Sequence, residues 1–91
     1  MDTYKVLNIP KSKQISGAIH RGESVLIETE THIDFIFLPD SMGNNPATKR
    51  LVVTGKCFRH SEAWPPENEP HCKLDIEETD TENERATFFV Y

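Results

Sequence analysis

The stretch from Ser24 to Leu38 constrains the fold more than any other part of the chain. Its odd positions, Val25, Ile27, Thr29, Thr31, Ile33, Phe35 and Phe37, are apolar or β-branched throughout. Its even positions, Leu26, Glu28, Glu30, His32, Asp34, Ile36 and Leu38, are charged in the middle and apolar only at the ends. A period of two belongs to a strand with one buried face.

The same parity bears on topology. A two-residue turn at Glu30–Thr31 would set Thr29 opposite His32 and bring charge onto the buried side, so that hairpin is rejected. The segment has no Gly, Asn or Pro for a primed turn, and a three-residue turn would lack its usual glycine. The expectation is one long strand. Fifteen residues of strand span ~50 Å, whereas a domain of this length has a radius of gyration of only ~12 Å. Such a strand has to bend or coil, as strands do in small barrels and sandwiches.

The rest of the chain reads as further strands separated by loops. Thr3 to Ile9 is rich in β-branched and aromatic residues and closes at Pro10. Ile15 to Gly22 fits two patterns. Ile15, Ala18 and Ile19 stand at helical spacing, with Ser12 to cap and Gly22 to terminate, while Ile15, Gly17 and Ile19 alternate as in a strand. Gly17 in mid-segment and a lysine in the first turn weigh against the helix, so a hairpin arm is preferred. The density of Pro, Gly, Asn and Asp from Pro39 to Pro46 predicts an exposed loop. Arg50 to Arg59 is apolar on both sides and reads as a central strand, with Gly55 marking a bulge or a close backbone approach. His60 to Pro70 is a second loop, containing Trp64. Cys72, Leu74 and Ile76 alternate with Lys73, Asp75 and Glu77. Glu78 to Glu84 is an acidic turn, and Ala86 to Tyr91 is a last strand that should dock in a sheet.

The expected fold is therefore one all-β domain spanning residues 1–91, a small, mostly antiparallel barrel or sandwich of five to seven strands. The alternative is an α+β fold with one short helix near residues 13–21. The hydrophobic share, 36% of the 91 residues, makes for a thin core. No apolar run has transmembrane length, and residues 1–9 hold no apolar stretch of signal-peptide length, so the expected location is the cytoplasm. Two cysteines do not make a disulfide scaffold.

Charge is unevenly placed. Residues 1–61 carry a net +2 and residues 62–91 a net −7, which together make the overall −5. The acidic part holds Glu62, Glu67, Glu69, Asp75, Glu77, Glu78, Asp80, Glu82 and Glu84, opposed only by Lys73 and Arg85. Such asymmetry speaks to partners rather than to fold.

Four constellations bear on chemistry. Cys57 and His60, with His71 and Cys72 beyond a ten-residue insert, supply four soft ligands for zinc, but the spacing is unusual and His71 and Cys72 point to opposite faces of a strand. Two buried thiols on neighbouring strands is the preferred reading, and no cofactor is expected. Glu28, Glu30, His32 and Asp34 form a polar array in which Glu30 and His32 are conceivable proton-transfer partners, set against an ordinary solvated sheet face. No nucleophile motif such as G-x-S-x-G occurs, so no enzymatic activity is expected. Lys11, Lys13 and Arg21, with Lys49 and Arg50, are the basic residues that a single-stranded nucleic acid would need, but the overall acidity disfavours nucleic acid. The acidic third remains. With Trp64 it suggests a non-enzymatic module that binds a basic protein partner through Trp64, Glu67, Glu69, Glu77, Glu78, Asp80, Glu82 and Glu84. A nucleic-acid-mimicking inhibitor is the first alternative and a small-barrel nucleic-acid binder the second. Trp64 itself reads either as a lid over a thin core, which is preferred, or as an exposed anchor. Nothing in the sequence demands pairing of two copies.

Overall fold

The structure, a computed structural model, describes residues 1–77 and 84–91. The acidic turn expected at 78–84 lies outside them apart from Glu84. Strands β1 (Asp2–Lys5), β2 (Val25–Glu28), β3 (Asp34–Asn45), β4 (Arg50–Arg59), β5 (His71–Glu77) and β6 (Arg85–Val90) are joined by one helix, α1 (Ser12–Arg21), between β1 and β2. Among the described residues the strands form a single six-stranded sheet in the order β1-β6-β5-β4-β3-β2. Every pairing is antiparallel. The all-β expectation therefore holds, with one short helix added, and no helix among the described residues is long and apolar enough to cross a membrane.

The sheet curls until its two margins meet. Val6 forms an isolated bridge with Thr29. The Leu7 N–H donates to the Glu28 carbonyl at 2.7 Å, and the Glu30 N–H donates to the Lys5 carbonyl at 3.0 Å. Inside the curl lie Val6, Ile27, Phe35, Phe37, Leu51, Val53, Cys57, Cys72, Leu74, Ile76, Ala86 and Phe88, with Ile15 of α1 inserted among them. Phe88 sits at the centre, tilted against Phe35 (5.2 Å between ring centres) and edge-on to Phe37 (5.6 Å). Offset and edge-to-face rings of this kind add to the burial of their area.

Three local expectations are overturned. Ser24 to Leu38 is not one strand but a hairpin, with Val25 opposite Phe37 and Glu28 opposite Asp34. Its five-residue connection preserves parity, so Ile27, Thr29, Phe35 and Phe37 are buried as the odd positions required. A glycine is not needed because His32 itself adopts φ 63°. The buried Thr29 hydroxyl donates to the Ile33 carbonyl at 2.6 Å and lies 2.9 Å from the Thr31 hydroxyl, tying the turn.

Ile15 to Gly22 is helix, not a hairpin arm. Ile15 and Ala18 are buried, and Gly22 (φ 66°) caps the end with its N–H toward the Ala18 and Ile19 carbonyls. A left-handed residue at that position is the usual glycine cap, and the apolar face outweighs the cost of Gly17.

The third correction concerns Pro39 to Pro46, where β3 continues as far as Asn45. A register shift between Pro39 and Ser41 leaves Asp40 as a bulge. Proline is tolerated on an edge or at a bulge, and here it has both.

Arg50–Arg59 is central, as expected. At Gly55 the neighbouring strand comes close, since a Cβ there would run into the Leu38 carbonyl oxygen. Replacing Gly55 with Ala should cost about 2–3 kcal/mol, the range of an overpacked core, read as a lower urea midpoint at unchanged slope. Replacing Thr29 with Val keeps the shape but strands the Ile33 carbonyl. It should cost about 1–2 kcal/mol in the same measurement.

Candidate interaction surface

β4 ends at Arg59 and β5 begins at His71, so residues 60–70 form the connection at that end of the sheet. Backbone bonds anchor both of its ends. The His60 N–H donates to the Asp34 carbonyl (2.9 Å), the Glu62 N–H to the Arg59 carbonyl (3.0 Å), and the Cys57 N–H to the Pro70 carbonyl (3.1 Å). The Trp64–Pro65 peptide is cis.

Alternation places Cys57 inward and Phe58 outward, and Phe58 stands apart from the inner cluster. It is nonetheless only 8% exposed, because Trp64 covers it with ring centres 5.5 Å apart. Trp64 remains 74% exposed. It caps one outward phenylalanine rather than the core, so the preferred expectation of a lid over the core gives way to an exposed ring on a firm base. Register extends this outer patch, because Ile36 lies opposite both Phe58 and Leu26. An apolar stripe thus crosses three strands on the face expected to be solvated. Sequence reasoning missed it, although the signal was present in the apolar ends of the even-numbered positions.

The loop that follows this stripe is acidic. Residues 60–70 carry Glu62, Glu67 and Glu69 and no lysine or arginine. Glu62, Ala63, Pro65, Glu67 and Asn68 line an open depression.

The other expected partner-binding residues lie elsewhere. Glu77 ends β5, opposite Arg50 on one side and Arg85 on the other. Glu84 precedes β6 and lines a separate depression with Lys5, Glu30 and Arg85. Seven residues of β5 set these groups about 20 Å from the Trp64 loop. Glu78, Asp80 and Glu82 fall outside the described residues. The structure therefore keeps Trp64, Glu67 and Glu69 on one loop and sets Glu77 and Glu84 at the opposite end.

Cys57 and Cys72 are free, inward and buried. Cys72 donates toward Cys57, and that bond together with burial pushes its pKa above the ordinary thiol range. His71 is exposed on the other face of β5, and His60 is exposed beyond the end of β4. Alternation thus divides the four residues of the zinc reading, and among the described residues no group of three His, Cys, Asp or Glu is arranged to hold a metal. The array Glu28, Glu30, His32 and Asp34 is folded around the hairpin turn, so Glu28 faces Asp34 across the ladder. Lys11 and Lys13 stand at the start of α1, while Arg21, in its last turn, is paired with Glu23 at 2.9 Å. No family model matches this chain, and neither the curated proteins nor the solved structures contain a similar one.

Proposed function

We propose that this protein is a small, acidic, non-enzymatic interaction module that docks a lysine- or arginine-rich segment of a protein partner on the surface around Trp64. The observation that carries this reading is an indole 74% exposed, seated on Phe58 within a loop of carboxylates that has no lysine or arginine of its own. An aromatic face beside carboxylates suits cationic side chains on two counts. The ring quadrupole attracts a cation placed over it, and the carboxylates steer it there. Beside the covered Phe58, Leu26 and Ile36 provide apolar area for the aliphatic stems of such side chains. Tryptophans are favoured anchors in interfaces.

Trp64 is the single tryptophan, so its emission reports on this surface alone. Titration with an oligoarginine peptide should give a saturable emission change, absent with an oligoglutamate peptide and weakened by salt. Joint replacement of Glu62, Glu67 and Glu69 by Gln should weaken binding about tenfold, while Glu77→Gln with Glu84→Gln should leave it unchanged. Emission that stays flat through millimolar peptide, or binding that follows the Glu77 and Glu84 pair, overturns the reading.

A further inference from the structure

The outer face of β4, β5, β6 and β1 is built differently from the surface around Trp64. Register sets Lys56 opposite His71. The Tyr91 N–H donates to the His71 carbonyl at 2.9 Å, which carries that rung on to Tyr91. The next rung runs Thr54, Lys73, Phe89, Thr3. Residues directly opposite share a face, and Cys57, Cys72, Leu74 and Phe88 fill the inward positions of these strands, so both rungs point outward. None of these seven residues is Asp or Glu, although the chain carries 15 of them. Tyr91 is 57% exposed. Phe89 is partly exposed, with the Lys73 ammonium 4.6 Å from its ring centre. Two residues apart on one strand, the two rings stand ~7 Å apart. Neither Lys56 nor Lys73 forms an ion pair among the described residues. Carboxylates border the patch without entering it. Asp75, one rung on, lies 3.7 Å from Arg50, Glu69 precedes β5, and Asp40 stands at the bulge of β3.

We propose that this face binds a short stretch of single-stranded nucleic acid, with bases stacked on Tyr91 and Phe89 and phosphates held by Lys56 and Lys73. The choice of occupant follows from the pairing of outward rings with cations. Around Trp64 the charges beside the exposed ring are negative, whereas here they are positive. Unstacked bases offer flat faces to such rings and phosphates to such lysines, while the Thr3 and Thr54 hydroxyls suit phosphate or sugar oxygens. An acidic peptide would use the lysines and leave the rings idle, and a duplex keeps its base faces stacked inside. Lys73 over Phe89 is an exposed cation–π contact that a base displaces as the ammonium turns to a phosphate. The net charge of −5 opposes approach from afar, but salt at physiological strength screens exposed charges beyond ~8 Å. Lys11, Lys13, Arg21, Lys49 and Arg50, the basic residues that stand out in the sequence, all lie off these two rungs.

Fluorescence anisotropy of a short labelled oligothymidylate titrated with the full chain tests this. Saturable binding is expected, with a slope of log affinity against log salt of about −1.4, or 0.7 for each of two lysines. Tyr91→Ala should weaken binding about tenfold, whereas Tyr91→Phe, which keeps the ring, should leave it unchanged. Lys56→Glu should weaken it about fivefold and flatten the salt slope. Both positions are exposed, and circular dichroism checks that the fold is intact. Trp64→Ala should have no effect, which separates this face from the peptide surface. Anisotropy that stays flat through millimolar protein overturns the proposal. So does binding that Tyr91→Ala and Lys56→Glu both leave unchanged, or an oligoglutamate peptide that competes as well as unlabelled oligothymidylate does.

Discussion

Closure of the curled sheet turns on Thr29. Its backbone bridges to Val6 and joins the two margins of the sheet, while its hydroxyl, 1% exposed, donates to the Ile33 carbonyl and starts the turn into β3. One residue therefore ends a strand, closes the sheet and reverses the chain. A threonine suits that corner because its methyl group faces the core while its hydroxyl satisfies a carbonyl that the turn would otherwise bury unpaired. With the margins joined, α1 has one apolar opening left to cover, and it inserts Ile15 there.

Curvature is what allows so thin a core to suffice. A flat sheet of six short strands would expose both faces and could bury only one against a helix as small as α1. Curling lets the inner face pack against itself, with Phe37 and Phe88 its largest fully buried side chains. Two adjacent devices bend β3 and β4 together. Asp40 adds a residue to one strand, and Gly55 omits a side chain from the other at the point where the Leu38 carbonyl crosses it. Bulges and glycine kinks at matched positions are how strands turn corners in small barrels.

What could be read from the residues, and what could not, divides along a physical line. The odd-numbered flank from Val25 to Phe37 predicts an inward face, and that face is inward, because alternation reports burial directly. Whether the flank belongs to one strand or two is not a matter of parity, since a five-residue connection keeps the same sides facing in. The turn was hidden because a histidine at φ 63° stands where a glycine was expected. Pro39 to Pro46 misled in the opposite sense. Its composition is that of a loop, but with one side of the strand unpaired, proline and asparagine cost little there. The helix was visible in Ile15 and Ala18 and was set aside for Gly17, a propensity that packing against the core overrides. The candidate surface was half legible. Trp64 and its carboxylates stand together in sequence, whereas Phe58, Ile36 and Leu26 join them only through register.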